Sequence, residues 1–261
     1  MEISWYLYPL AVLAGCLAGV INTLAGSGSL VTLAMLDALG LPANIANATN
    51  RVGVTMQNIV GIATFRQSGD LRVRPESVWL ILPSLLGAGI GAWLASILDA
   101  ASMRNVIGVV MVLMLIVILI NPKRWLREES EIEPGRPAFW KLGLLFLIGI
   151  YGGFIQAGVG VFLLTAMVPC LGYSLKEANM LKLVVVLAIT VFALAIFWYQ
   201  GLIWWGIGIL LGVGQSVGAW LAVKFATRYE HANLWVRRLL IAVVVVGIVR
   251  VFGVFAMTSN Q

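Results

Sequence analysis

Two basic residues, Arg51 and Lys182, lie near the starts of long apolar stretches instead of in polar loops. An ionisable group inside an apolar membrane span is costly, and by default it suggests a functional site. The two cations occupy nearly equivalent places in two similar halves of the chain, since Lys182 aligns with Asn50, one residue before Arg51. We therefore predict that they bind a small anion. The alternative is that both side chains reach the membrane surface and are solvated there.

Glycine-rich breaks, "AGSG" at 25–28 and "AGVG" at 157–160, interrupt apolar segments shortly before each cation. A helix that restarts after such a break presents unpaired N–H groups and the positive end of its dipole, and both attract anions. Polar side chains add donors near the breaks, namely Ser27, Ser29 and Thr32 in the first half and Gln156 and Thr165 in the second.

Helical spacing aligns further polar residues with each cation, because residues three or four apart share a face. The predicted faces are Asn47, Arg51, Thr55 and Asn58 in the first half, and Asn179, Lys182 and Thr190 in the second. The predicted substrate-binding residues are Asn22, Ser27, Gly28, Ser29, Asn47, Asn50, Arg51, Gln156, Gly158, Gly160, Asn179 and Lys182. No metal site and no cofactor is predicted.

The elements that must position these residues are membrane helices. The 261-residue chain is 61% hydrophobic and 11% charged, and its mean hydropathy is +0.99. Apolar stretches of about 18 residues or more predict transmembrane helices, so the predicted fold class is an all-α polytopic membrane protein in a lipid bilayer. The apolar segments fall at 4–24, 28–40, 45–65, 77–98, 104–121, 138–156, 159–171, 178–198, 202–223 and 235–256. Segments 28–40 and 159–171 are short, which predicts re-entrant hairpins or two bent crossings.

The chain divides into two repeats joined by a polar linker. Residues 1–120 form the predicted N-terminal transmembrane repeat, 121–137 a cytoplasmic linker and 138–261 the C-terminal repeat, each repeat with a glycine-broken hairpin and three long helices. Gly26, Gly28, Gly40, Ala46 and Asn47 recur 132 positions later. Basic residues cluster in alternate loops, which predicts an inner-membrane protein with inverted-topology repeats and both termini non-cytoplasmic.

Several other functions are disfavoured by the sequence. The net charge of +6 comes from basic residues in short loops, which membrane topology and anionic headgroups explain better than nucleic acid. His231 lies in a basic loop and no nucleophile–base or nucleotide-binding motif is present, so no enzyme is predicted. Cys16 and Cys170 lack a metal or disulfide pattern. GxxxG spacings such as Gly15/Gly19 predict helix packing within the chain or, alternatively, a homodimer.

The segments "GVINTLAGSGSLVTLAMLDALGLPANIANATNRV" (19–52) and "GIYGGFIQAGVGVFLLTAMVPCLGYSLKEANMLK" (149–182) resemble the TauE/SafE family of sulfite-exporter-like transporters. The resemblance rests on the glycine-rich hairpin, the Gly-Leu-Pro turn at 40–42 and the Ala-Thr-Asn-Arg helix start at 48–51. It implies movement of small anions, often sulfur-containing ones such as sulfite or sulfonates. Ser27, Ser29, Gln156 and Gly152 depart from the family pattern, and Gly152 stands where some relatives have an acid, which puts carboxylate-based proton coupling there in doubt.

Three hypotheses follow from the sequence. The first is a secondary anion transporter that exports its substrate and works by alternating access around a cationic midplane site. The alternative is an anion channel of the same architecture. A membrane-embedded assembly factor or enzyme is a third class, which the missing nucleophile–base pair and extramembrane domain disfavour.

Overall fold

The structure is a computed structural model that describes residues 7–67, 78–120, 138–226, 241 and 244–249. The helices there are α1 (Leu7–Ala25), α2 (Ser29–Ala38), α3 (Ala43–Gln67), α4 (Val78–Ser96), α5 (Ala100–Ile120), α6 (Phe139–Phe154), α7 (Val159–Met167), α8 (Leu175–Tyr199) and α9 (Trp205–Ala226). Residues 244–249 are also helical, and the described ranges contain no strand. The all-α prediction is therefore confirmed. The predicted linker 121–137, His231 and both chain ends lie outside the described residues.

The two halves repeat the same order of helices. Helices α3 and α8 each contain 25 residues, and the short helices α2 and α7 each precede one of them. Glycines at equivalent positions have matching left-handed backbones, with φ of 76° at both Gly26 and Gly158, 78° at Gly40 and 77° at Gly172. Left-handed backbone favours glycine, so the repeated glycines account for the repeated breaks. The inverted orientation of the halves stays a prediction.

The GxxxG motifs pack helices of one half against helices of the other. Helix α1 crosses α9, where a Cβ added to Gly19 would lie 2.2 Å from the Gln215 carbonyl oxygen. Helix α6 crosses α4 in the same way, where a Cβ on Gly91 would lie 1.9 Å from the Ile150 carbonyl oxygen. Small residues permit such close backbone approach. These motifs therefore serve packing within the chain, and they give the predicted homodimer no support.

The packing of helices from one half against helices from the other produces two helix bundles. We call α1, α3 and α9 the α3 bundle, and α4, α6 and α8 the α8 bundle, because each set of three packs together. Helices α3 and α8 contact each other and join the bundles. The two buried apolar clusters of the described residues also contact the short helices α2 and α7. Each bundle thus contains helices from both halves of the chain.

Four described helices are long and apolar enough to cross a membrane, over Trp79–Ser96, Ala100–Leu119, Glu177–Tyr199 and Trp205–Lys224. Helices α1, α2 and α6 contain shorter apolar segments. Helix α3 is long but more polar, since it buries Asn47, Asn50, Arg51, Gln57 and Asn58. These polar side chains face the protein interior, and they lower the mean hydropathy of α3. Length and hydropathy alone therefore do not identify α3 as a membrane span.

Candidate anion site

Arg51, on α3, is completely buried and donates to the end of α6. Its Nη1 donates to the Gly152 carbonyl oxygen at 2.6 Å and to Gln156 Oε1, and its Nη2 donates to the Gly153 carbonyl oxygen at 2.8 Å. Asn47, one turn earlier on α3, donates to the next carbonyl oxygen, that of Phe154, at 2.9 Å. Side chains of α3 thus bind the last carbonyl groups of α6, which have no partner within that helix.

Lys182, on α8, is 1% exposed and makes the corresponding contacts with the end of α1. Its Nζ donates to the Thr23 carbonyl oxygen at 3.0 Å and lies 3.4 Å from that of Asn22. Asn179 Oδ1 accepts a third hydrogen bond from Nζ at 3.0 Å, as the predicted helical face requires. Each cation therefore binds the C-terminal end of the first helix in the opposite half.

Neither cation has a carboxylate partner among the residues that the structure describes. An ion pair elsewhere joins Arg104 and Asp37 at 2.9 Å, at the ends of α5 and α2. Arg51 instead stacks near the Phe197 ring, 5.5 Å from its centroid. The negative ends of the α1 and α6 dipoles each supply about half an elementary charge. Two basic side chains thus face partial negative charges and no carboxylate among the described residues.

The two glycine breaks meet beside Lys182. A Cβ added to Gly26 would lie 2.6 Å from the Gly160 carbonyl carbon, and a Cβ on Gly160 would lie 2.5 Å from the Gly26 Cα. The aliphatic stem of Lys182 is beside them, with its Cδ 3.1 Å from the same added Cβ of Gly160. Only glycine fits this backbone contact, which brings the starts of α2 and α7 close to Lys182.

Several buried polar groups near the breaks lack a hydrogen-bond partner among the described residues. They include the Ser27 and Ser29 hydroxyls, Asn50 Nδ2 and Arg51 Nε. Ser27 is 1% exposed and Ser29 is 2% exposed. Buried polar groups in native proteins are nearly always paired with protein, water or ligand. These donors are therefore available to a bound anion or to water.

The remaining predicted residues fall into three groups. Gly28 packs against α1, where an added Cβ would lie 2.0 Å from the Ala18 carbonyl oxygen, and Gly158 packs against the Met114 side chain. Asn50 accepts a hydrogen bond from Thr32 at 2.6 Å. Thr165 is exposed and bonds back to the Val161 carbonyl oxygen, so its predicted role as a polar group of this site is wrong.

Two predicted members of the α3 face make local hydrogen bonds among the described residues. Thr55 donates to the Arg51 carbonyl oxygen and Asn58 to that of Val54, each at 2.8 Å. Such bonds to the preceding turn are a common way for polar side chains in helices to pair locally. In contrast, Thr190 donates to Gln156 Oε1 at 3.2 Å, so it joins the Arg51 network as its helical position predicted.

Sequence reasoning missed Gln57 and Gln215, which are 0% and 1% exposed. Gln57 accepts a hydrogen bond from Asn22 at 3.1 Å. Gln215 packs against Gly53, where an added Cβ would lie 2.4 Å from its Nε2. The available signal was a glutamine within the apolar helix "GVGQSVGAW" (212–220), at a position that the first half fills with Ala88. Among the described residues, no group of three or more His, Cys, Asp or Glu side chains could hold a metal.

Comparison with known proteins agrees with this architecture. The family model described as "Sulfite exporter TauE/SafE" matches residues 11–251. A Sinorhizobium protein named "Probable membrane transporter protein ORF9" is 23% identical over 86% of this chain and 85% of its own length. A Haemophilus influenzae "Probable membrane transporter protein" is 27% identical over 86% of this chain and 87% of its own length. The Escherichia coli K12 "Probable membrane transporter protein YfcA" is 26% identical over 78% of this chain and 74% of its own length. No solved structure matches the chain significantly. The chain therefore belongs to the sulfite exporter TauE/SafE family.

Proposed function

We propose that this protein is a secondary transporter that moves small anions, sulfur-containing ones such as sulfite or organosulfonates, across the inner membrane. The observation that carries the proposal is that Arg51 and Lys182 are fully buried without a carboxylate partner among the described residues. An uncompensated buried charge is costly, so a chain that keeps two of them gains something in return. Binding an anion is the function that uses the charge directly.

The charge balance favours a small anion. Two cations contribute two positive charges, the C-termini of α1 and α6 offset about half a charge each, and the N-termini of α2 and α7 at the breaks add about half a charge each. The site therefore stays net positive, which an anion with one or two negative charges would neutralise. The unpaired hydroxyl and amide donors beside the breaks suit the oxygens of such an anion. The family description and the names of the relatives support transport, and the family's sulfite exporter description favours an oxyanion of sulfur.

The contacts of the two cations suggest how binding drives alternating access. Arg51 links the α3 bundle to α6 in the α8 bundle, and Lys182 links α8 to α1 in the α3 bundle. A substrate anion competes with the helix carbonyl groups for these cations. Its binding weakens both links between the bundles, so the anion interacts differently with the linked and unlinked states. Such differential interaction is what a ligand needs to shift a conformational equilibrium.

The topology is part of the proposal. Arg66 lies in the last turn of α3 and Lys224 in the last turn of α9, and positively charged ends favour the cytoplasm. We place both termini on the opposite side. Reporter fusions at the two termini test this, because cytoplasmic activity of either fusion would contradict the placement.

Flux measurements in proteoliposomes test the function. We expect uptake of labelled sulfite or methanesulfonate that saturates, and we expect Arg51→Gln and Lys182→Gln to weaken apparent affinity roughly ten- to a hundred-fold, the effect of losing one charge-assisted hydrogen bond of about 1.5–3 kcal/mol. Arg66→Gln, at an exposed position on the same helix as Arg51, is the matched control and should transport normally. Normal transport by both buried variants would refute the site, and unitary currents would favour the channel.

A further inference from the structure

Three amide side chains of the α3 bundle, two buried and one half-buried, lie beside the cation contacts already described. Asn22 of α1 donates to Gln57 Oε1 of α3, and this fixes the Gln57 amide with its Nε2 on the other side. That Nε2 has no hydrogen-bond partner among the described residues, and the same is true of Gln215 Nε2 on α9. We call Asn22, Gln57 and Gln215 the amide cluster. Two buried NH₂ groups without partners are expensive unless water or a ligand binds them.

The amide cluster adjoins both the first glycine break and Lys182. A Cβ added to Gly28 would lie 2.7 Å from the Asn22 Cβ, so the start of α2 packs directly on this residue. The carbonyl oxygen of Asn22 lies 3.4 Å from Lys182 Nζ. The side chain and backbone of Asn22 therefore connect the cluster to a buried cation.

The Gln215 side chain has its place because residue 53 is glycine. A Cβ at Gly53 would approach Gln215 Nε2 to 2.4 Å and Cδ to 3.0 Å. On α3, Gly53 lies four residues before Gln57, and residues four apart share a helix face. Gln215 thus contacts the face of α3 on which Gln57 lies, one helical turn before Gln57.

The equivalent positions of the repeat lie in the α8 bundle, and they have no such amides. The residues equivalent to Gly53, Gln57 and Gln215 are Val185, Ile189 and Ala88. All three equivalents are buried, at 1%, 0% and 0% exposure. Apolar side chains are therefore compatible with these buried positions of the fold, and packing alone does not require the amides. The amide at the second break, Gln156, instead accepts hydrogen bonds from Arg51 and Thr190.

From this asymmetry we infer that Gln57 and Gln215 are specificity-determining residues that bind the oxygens of the substrate anion, and that the anion sits on the α3-bundle side, next to Lys182. The inference rests on the proposed function and deepens it by locating the substrate. Both free groups are NH₂ donors, which bind acceptor atoms and cannot bind a metal cation. The Ser27 and Ser29 hydroxyls, unpaired and at the adjoining break, complete a set of neutral donors. Arg51, engaged with Gln156 and α6, contributes its charge to the site and links the bundles.

The test compares binding and transport in matched variants. Gln57→Glu keeps the shape and the acceptor oxygen for Asn22 but replaces the free NH₂ by an oxygen. Gln215→Ala introduces the residue that the first half has at this position, Ala88. Gly53→Ala obliges the flexible Gln215 amide to move and leaves its chemistry intact. Ser84→Ala is the control, since Ser84 is buried in α4 with hydrogen bonds to Leu80 and Leu145.

Anion binding is measured by the rise in melting temperature with sodium methanesulfonate or sodium sulfite, and transport by flux of the same anions. We expect Gln57→Glu, Gln215→Ala and Gly53→Ala to weaken both by about tenfold or more, with Ser84→Ala unchanged. The melting temperature without anion shows whether each variant is folded.

The outcomes separate the two proposals. Anion binding by the wild type that is lost in the variants supports the inference even where no flux occurs, and in that case only the transporter proposal fails. Normal binding and flux in folded Gln215→Ala and Gly53→Ala overturns the inference and leaves the transporter proposal standing. Two further results also overturn the inference. One is that no anion stabilises the wild type, and the other is that Na⁺ stabilises Gln57→Glu while its anion binding is unchanged.

Discussion

A substitution at Gly91 is informative because Gly91 lies at the crossing of α4 and α6, and α6 provides the carbonyl groups that bind Arg51. A Cβ at Gly91 would lie 1.9 Å from the Ile150 carbonyl oxygen and 2.7 Å from the Phe154 amide nitrogen. Both atoms belong to the backbone, so no side-chain rotation relieves the clash. Ordinary van der Waals contact begins at 3.4 Å. The two helices must therefore separate by about 1.5 Å in Gly91→Ala, and this separation occurs at the turn of α6 whose carbonyl groups bind Arg51.

The expected loss of stability follows from two opposing effects. Overpacking of a close-packed contact costs about 1–3 kcal/mol. Replacing glycine by alanine within a helix gains up to about 1 kcal/mol. The net effect is a loss of up to roughly 2 kcal/mol, which corresponds to a fall in Tm of about 4–8 °C for a chain of this size class. Transport should fall as well, because the Gly152 and Gly153 carbonyl groups move away from the Arg51 guanidinium.

Melting of the purified protein in detergent measures this effect. Gly143→Ala is the matched control, because Gly143 lies on α6 and an added Cβ there would meet nothing within 4 Å. It should be as stable as the wild type or slightly more stable. If Gly91→Ala and Gly143→Ala had the same Tm, the close crossing of α4 and α6, and the reasoning built on it, would be refuted.

Further predictions concern the breaks and a helix cap. Gly26→Ala and Gly40→Ala impose the same left-handed backbone strain, with φ of 76° and 78°, but only Gly26 contacts Gly160 and Gly40 meets nothing within 4 Å. We therefore expect Gly26→Ala to lower Tm and transport well beyond Gly40→Ala, and equal effects would contradict the contact between breaks. At the start of α5, the Asp99 carboxylate accepts from the Ser102 N–H at 2.7 Å and its hydroxyl at 3.0 Å. These bonds hold the pKa of Asp99 below its usual range, so the stability they supply is present above the unfolded-state pKa and is lost as pH falls through the lower folded-state pKa. Asp99→Asn should accordingly lower Tm at pH 7 and lower it less at pH values below the unfolded-state pKa of about 3.9, and a pH-independent difference would contradict this account.

Much of the helix order could be predicted because apolar length and glycine position are local properties. The segments 28–40 and 159–171 correspond to α2 and α7, and the glycines at their starts have the left-handed or close-packed backbone that only glycine allows. The packing of helices from one half against helices from the other was not predictable in the same way. A GxxxG spacing shows that a helix has a close-packing face, but it does not identify the partner.

The site was predictable in part for the same reason. The pairing of Lys182 with Asn179 follows from helical spacing, and the structure has it at 3.0 Å. The contacts of Arg51 with Gly152 and Gly153 join residues about a hundred positions apart, and no local pattern encodes them. Gln57 and Gln215 were missed because they lie on helices far apart in sequence, and the packing of α3 on α9 brings them to one face.

Counterflow in proteoliposomes tests the central claim most directly. Vesicles that contain wild-type protein are loaded with unlabelled sulfite, and entry of labelled sulfite is followed, with methanesulfonate as a second substrate. The account predicts saturable entry that is accelerated by the internal anion, and a roughly ten- to hundred-fold weaker apparent affinity in Lys182→Gln. Absence of anion-stimulated entry in the wild type, or an unchanged affinity in Lys182→Gln, would contradict the claim that buried cations bind a transported anion.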